Sequence, residues 1–335
     1  MGKRDRVVVV TGASSGIGRA CALRFAERVG GLVLVARRAA ALEELATECR
    51  GRGSEVLVAA VDVTDAEAVD RVAAQAVARF GRVDVWVNNA AVNLYGRTEE
   101  VPARLWHRVV QTNLFGTYHG VRAVLPWFRE QGGGTLINVS SVLGHTGFPQ
   151  QSAYAASKHG IRALGDCVRQ EVRDVDGISV CTVLPGPVDT PLFRVAGNWT
   201  GRRVVPPGQP VPADRVAAAV LRCADRPRRE VPVGGASRAG VLAARIAPGL
   251  VERAGARVLG RQHFADEATA PTEGNLFEPA DFGARVDDGW RSGVDGRRRR
   301  GAKALLGAGL LLGAALVSAS RAATTSRGRT RWARR

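Results

Sequence analysis

Tyr154 and Lys158 stand four residues apart in Tyr154-Ala155-Ala156-Ser157-Lys158, within a stretch of helical period that opens near Ser152. Residues at i and i+4 share one helix face, so the phenol and the ammonium can address one reacting centre. The chemistry that suits them is proton exchange with a substrate oxygen. A free phenol has a pKa near ~10, and efficient exchange close to neutrality asks for roughly 4 kcal/mol of preferential stabilisation of the phenolate. A nearby ammonium, together with a bound oxidised nicotinamide, would supply it where water is kept out. The chain has only three tyrosines, and three lysines among its 48 Lys and Arg cations, so chance rarely places the two at this spacing. Arginine is its ordinary cation, and a lysine at 158 marks a place that needs a compact charge on a slim stem. Upstream of Tyr154, Ser141 follows an apolar run ending at Ser140. Its hydroxyl would sit at the carboxyl edge of a sheet, with Ser140 the competing choice.

A second constellation lies at the start. The apolar run Arg6–Val10 leads into Thr11-Gly12-Ala13-Ser14-Ser15-Gly16-Ile17-Gly18 and then into a helical pattern. Glycines at such a turn let backbone pass close to a pyrophosphate, and the positive end of the following helix attracts it. The second apolar run ends in Leu34-Val35-Ala36-Arg37-Arg38, with no acid to hold the 2′-hydroxyl of NAD. Two guanidiniums there favour the 2′-phosphate of NADP.

These groups need a scaffold that brings strand ends to one edge. Short Val-, Leu- and Ile-rich runs at 6–10, 31–36, 55–61, 83–88, 135–140 and 178–184 alternate with helical stretches at 17–29, 40–50, 65–79, 103–129, 152–175 and 213–224. That alternation predicts an α/β fold with a doubly wound parallel sheet buried on both faces, closed by a weak strand at 230–233. The domain is expected over 1–235. Residues 236–296 form an extension, with an amphipathic helix at 237–260 interrupted by Pro248-Gly249 and then a polar loop or strap. A basic tail occupies 297–335.

The formal net charge of +17 would suit a nucleic-acid binder were it spread over the chain. It is not: from Arg297 onward there are eleven cations and no acid, and the rest carries a surplus of six. Nucleic acid is therefore not an expected partner. The seventeen uncharged residues 304–320 would span about 26 Å as a helix, at the short limit for a bilayer, and read as a candidate membrane contact beside the alternative of a soluble helix on a partner. Five separated cysteines fit neither a disulfide framework nor a zinc site. No histidine or cysteine spacing suggests a metal. The first residues lack the apolar stretch of a secretory signal, so the expectation is cytoplasmic, with the tail as a possible route to a membrane.

Taken together, the Thr-Gly-x-x-x-Gly-x-Gly turn, Asn88-Asn89-Ala90 after the fourth strand, Ser141 and Tyr154-x-x-x-Lys158 resemble the short-chain dehydrogenase/reductase family over about residues 5–235. The resemblance implies a Rossmann fold in which Tyr154 is the general acid/base, Lys158 lowers its pKa and binds the nicotinamide ribose, and Ser141 holds the substrate oxygen. Asn113 matches the helix residue that supports a water-linked proton relay. Asp62 and Val63 match adenine contacts, Asp62 alternatively capping the next helix. Thr11, Gly12, Ser14, Ser15, Gly16, Ile17, Gly18, Asn89 and Ala90 match the cofactor-binding turns, and Pro185, Gly186, Val188 and Thr190 the loop that closes on the nicotinamide. Ala91 departs from the family's usual Gly. The segment 191–211 falls where a substrate lid is expected, with Phe193, Trp199, Val204 and Val205 as apolar lining. The implied function is NADP-dependent interconversion of a secondary alcohol and a carbonyl, on a small-molecule substrate and in a homo-oligomer. The alternative is a catalytically silent nucleotide sensor or scaffold on the same fold.

Overall fold

The structure is a computed structural model that describes residues 5–281 and 283–292, without the side chains of 258–262. The chain opens with β1 (Val7–Thr11), α1 (Gly16–Ala26), β2 (Gly31–Ala36), α2 (Ala39–Gly51), β3 (Glu55–Ala60), α3 (Ala66–Phe80) and β4 (Val85–Asn88). A two-residue strand β5 (Leu94–Tyr95) precedes α4 (Ala103–Val110), α5 (Gly116–Glu130), β6 (Gly134–Val139), α6 (Ser152–Glu171) and β7 (Ile178–Pro185). Short strands β8 (Val188–Asp189), β9 (Gly197–Asn198), β10 (Arg202–Val204) and β11 (Val211–Pro212) lead to α7 (Ala213–Asp225) and β12 (Glu230–Val233). The extension then adds α8 (Gly235–Ile246), α9 (Pro248–Gln262) and β13 (Phe264–Ala268).

Seven strands form the expected parallel sheet, in the order β12-β7-β6-β4-β1-β2-β3. Alternate side chains of one strand serve opposite faces: Val8 and Val10 join the core under α1, α2 and α7, while Val9 joins the core under α3, α5 and α6. Each fully buried Val or Leu contributes roughly 1.5–3 kcal/mol, which is why these strands read as unbroken apolar runs. The strand order reverses at β1, whose neighbours are β2 and β4. Ligands of doubly wound sheets bind in the crevice at such a switch point, beyond the carboxyl ends of the strands.

The helix expected over 103–129 is not continuous. A π-helical turn at Gln111–Phe115 separates α4 from α5. The cause lies in Asn113, which is fully buried and whose amide both accepts from Val92 N (2.8 Å) and donates to Val92 O (3.0 Å). Rewinding the helix by one residue brings that amide to the loop after β4, and such π-turns recur at functional sites. The interrupted helix expected at 237–260 becomes two, α8 and α9, parted at Ala247 just before Pro248.

Residues up to Arg291 form one compact unit. In it, β13 pairs antiparallel with β10, and residues 269–281 and 283–291 follow as a strap. Cys21, Cys49, Cys181 and Cys223 are buried free thiols, while Cys167 is exposed. Among the described residues no helix is long and apolar enough to cross a membrane, and no His/Cys/Asp/Glu cluster could hold a metal. The segment 304–320 and the basic tail lie outside the described residues.

Candidate active site

One cleft of about 420 Å³ opens along the carboxyl edge of the sheet. Its lining includes Gly12, Ser14, Ser15, Gly16, Ile17, Arg37, Arg38, Asp62, Val63, Asn89, Ala90, Ser141, Tyr154, Lys158, Pro185, Gly186, Val188 and Thr190. Of the residues singled out in the sequence, Thr11, Gly18 and Asn113 stand behind this wall rather than on it.

Thr11 ties the two central strands: its hydroxyl accepts from Asn89 N (3.0 Å) and Ala90 N (3.1 Å) and donates to Val87 O (3.3 Å). The Asn89 amide donates to Thr11 O at 2.9 Å. Gly18 must be glycine because a Cβ there would come within 2.1 Å of Gly12 O. Gly12 and Gly16 both adopt positive φ, the left-handed backbone that glycine takes without strain. The result is a tight turn that exposes backbone at the positive end of α1, where the N-cap residue Ser15 makes no side-chain cap bond. This donor set, with the glycine cradle and the cationic strand end beside it, fits a dinucleotide.

The two arginines after β2 do different things. Arg38 turns toward the glycine-rich turn, with Nη2 donating to Ser14 Oγ (3.2 Å) and Ser14 O (3.2 Å). Arg37 donates to three backbone carbonyls of the strap, Asn275 O (2.7 Å), Phe277 O (2.6 Å) and Leu276 O (3.3 Å). Burial lowers the pKa of both from the ordinary arginine value. Asp62 is committed as well: its carboxylate accepts from Thr64 N (3.0 Å), Thr64 Oγ1 (2.9 Å) and Arg108 Nη2 (2.6 Å). Although burial opposes it, these bonds hold Asp62 below the usual carboxylate range. The cap of α3 is Asp65, which accepts from Ala68 N, so the capping alternative for Asp62 does not hold.

Ser141, Tyr154 and Lys158 meet at the other end of the cleft. Ser141 directly follows the Ser140 at the end of β6's run, its hydroxyl accepting from Leu143 N (3.1 Å) and reaching Pro185 O (3.4 Å). Ser140 also lines the cleft, but its hydroxyl donates to Lys158 O at 2.8 Å, whereas the Ser141 hydroxyl bonds the Tyr154 phenol. Lys158 is 2% exposed; its Nζ lies 5.4 Å from the Tyr154 ring centroid and donates to Val139 O at 3.0 Å. Burial pushes the Tyr154 phenol up to about 12, partly offset by the Ser141 hydroxyl. Burial also pulls the Lys158 ammonium down to about 7. Behind them, Asn113 Nδ2 donates to Ser157 Oγ (3.1 Å), bolting α6 to the π-turn.

The loop after β7 is held from outside. Asp189, 2% exposed, accepts from the backbone N–H groups of Asp288 (3.0 Å), Trp290 (3.0 Å) and Arg291 (3.1 Å). Trp290 Nε1 donates to Thr190 O at 3.2 Å, and Arg285 O accepts from Gly16 N at 2.9 Å. The strap therefore touches the end of β2, the start of α1 and the loop carrying Val188 and Thr190. The sequence offered a polar loop or strap here but not these contacts, most of which run through backbone groups.

The apolar lining of the lid segment needs correction. Phe193 lines the cleft, but Trp199, Val204 and Val205 do not. Pairing of β10 with β13 turns Val204 into a small core with Tyr95, Ala196 and Phe264, and Trp199 packs against the cluster of Val92, Leu94 and Leu105. Sequence reasoning missed Asn93, Tyr95 and His263, all of which line the cleft.

The family model described as short chain dehydrogenase matches residues 6–201. The chain is similar to the uncharacterized oxidoreductase YxnA of Bacillus subtilis, at 32% identity over 293 residues, covering 86% of this chain and 82% of that protein. Its structure is similar to that of a short-chain dehydrogenase from Streptomyces avermitilis (TM-score 0.63, 35% identity, 71% of this chain and 91% of that one). A third likeness is to an alcohol dehydrogenase from the archaeon Thermococcus sibiricus complexed with 5-hydroxy-NADP (TM-score 0.59, 29% identity, 68% of this chain and 95% of that one).

Proposed function

The chain belongs to the short-chain dehydrogenase/reductase family, and on that premise we propose that it interconverts a secondary alcohol and a carbonyl with NADP(H), Tyr154 moving the proton. The observation that carries the reading is that Ser141 and Lys158, both buried, and the partly buried Tyr154 share one cleft with the glycine-rich turn. When bound, the nicotinamide donates or accepts the hydride, and its oxidised ring adds a positive charge beside the phenol. Ser141 holds the substrate oxygen by hydrogen bonding. Tyr154 gives its proton to that oxygen in reduction and takes it back in oxidation. The Lys158 ammonium, one helical turn away, favours the phenolate in a site where burial alone would suppress it. Its bond to Val139 O uses one of three donors, leaving two for a ribose.

For the cofactor, Arg38 and Ser14 together present a guanidinium and a hydroxyl suited to a 2′-phosphate. Arg37 adds charge nearby while its directed bonds go to the strap. Asn113 acts as a positioning residue, holding the strand-end loop against α6. A screen of ketones, aldehydes and alcohols with NADP(H) and NAD(H), followed by absorbance of the reduced nicotinamide, tests this reading. It expects turnover with NADPH that Tyr154→Phe reduces by about 10²–10⁴-fold. A Tyr154→Phe variant as active as the wild type would overturn it.

A further inference from the structure

We propose that His263 determines substrate specificity by hydrogen-bonding, through Nδ1, a second and uncharged oxygen of the substrate. The substrate class is then a largely apolar ketone or secondary alcohol carrying a neutral hydroxyl away from the reacting carbon. The proposal deepens the oxidoreductase reading above and rests on it.

His263 comes from the extension, at the junction of α9 and β13, and its backbone carbonyl is fixed by Val205 N at 2.9 Å. The side chain lines the cleft yet is 8% exposed; the ring makes a polar contact with the Val205 backbone, while its buried Nδ1 has no hydrogen bond of good geometry among the described residues. A buried polar atom left unpaired is costly, and one that borders a ligand cleft is satisfied when a ligand supplies the missing partner. Tyr95 connects this atom to the chemistry. Its ring lies 5.6 Å from the His263 ring, and it is close enough to Tyr154 for the second phenol to disfavour its ionisation. Tyr95 Oη accepts from Asn93 Nδ2 at 3.0 Å, which fixes the phenol in place.

The wall around His263 decides what kind of oxygen it meets. Tyr95 and Phe264 lie against its ring and Phe193 packs on the same cluster, while Phe148, Pro207 and Val251 add apolar surface elsewhere along the cleft. The charged side chains described along the cleft are Arg37, Arg38, Asp62 and Lys158; the first three lie at the ends of β2 and β3, and Lys158 beside Tyr154. A carboxylate or phosphate placed at His263 would thus lack a countercharge, and burial holds the imidazole neutral by lowering its pKa to about 4. A hydroxyl both donates and accepts, so it pairs with Nδ1 in either tautomer.

The test compares decan-2-one with a series of hydroxydecan-2-ones in which the hydroxyl is moved along the chain, using the full-length protein and NADPH. In the wild type at least one hydroxy ketone should exceed the parent by about tenfold in kcat/KM. His263→Phe should bring that ratio to near one, whatever its effect on decan-2-one itself, and His263→Asn should retain part of the preference. Should His263→Phe fail to fold, the same ratio is read in His263→Ala. A preference that survives both apolar variants, or a wild type that favours decan-2-one over every hydroxylated member, overturns the assignment. Turnover of decan-2-one and its loss in Tyr154→Phe report on the underlying oxidoreductase reading, so the two can fail separately.

Discussion

The floor of the cleft and its roof are held by different kinds of bond. The floor, built from β1 to β8, is positioned by side chains of particular type: Thr11 across two strands, Asn113 across a helix and a loop, Lys158 under Tyr154. The roof, residues 269–281 and 283–291, is fastened largely through its own backbone, with Arg37 donating to three carbonyls and Asp189 accepting from three N–H groups. Any residue sequence can offer carbonyls and N–H groups. A roof made this way depends chiefly on the floor residues that grip it, Arg37, Arg108 and Asp189 foremost.

The largest expected effect lies in the floor. Lys158→Met should reduce kcat by about 10²–10⁴-fold with melting temperature retained, and should move the alkaline limb of the pH–rate profile upward. An equal loss from an alanine in the strap would place chemistry in the roof and break the contrast. Next, Arg38→Ala should raise the Kd for NADP by about 10–100-fold, the worth of a charge-assisted hydrogen bond, while changing NAD little in a calorimetric titration. Arg37→Ala should weaken both nucleotides to a similar and smaller extent, and should speed hydrogen exchange of amides in 285–291. If Arg37→Ala instead separates NADP from NAD more than Arg38→Ala does, the division of labour between them is wrong.

The buried pair also sets a pH dependence of stability. The unfolded Lys158 ammonium titrates near 10.5 and the folded one at about 7, so between these values the unfolded chain binds more protons and stability rises with pH. Tyr154 works in the opposite sense above pH 10, because the folded phenol holds its proton to about 12 while the unfolded one releases it. Denaturant titrations should therefore show wild-type stability gaining on Lys158→Met from pH 7 to 10. A constant difference across that range would contradict a Lys158 amine whose burial lowers its pKa. The smallest effect belongs to the exposed pair Arg104 and Glu273 at the strap's edge, where Glu273→Gln should leave the melting temperature unchanged within error.

The same contrast explains what could be read from sequence. Continuous Val and Leu runs announced the parallel sheet because both faces are buried, and the spacing of Tyr154 and Lys158 announced the site because helix geometry is local. The π-turn at 111–115 was hidden, since it follows from a bond between Asn113 and the backbone of Val92 that no periodicity encodes. His263 was hidden too. Nothing beside it in the chain indicates that the antiparallel pairing of β10 with β13 carries it to Tyr95. Arg37 and Arg38 looked equivalent as neighbours, and they differ only in the fold, where Arg37 gives its bonds to the strap and Arg38 shares its own between Ser14 and the strap carbonyl of Ala280.

The central claim is that Tyr154, set beside the buried Lys158 and Ser141, exchanges the proton as hydride moves. Single-turnover oxidation of bound NADPH by an accepted ketone, followed at the absorbance of the reduced nicotinamide in the wild type and in Tyr154→Phe, tests it most directly. The account predicts a rate about 10²–10⁴-fold slower in the variant with nucleotide affinity preserved; equal rates in the two proteins would contradict it.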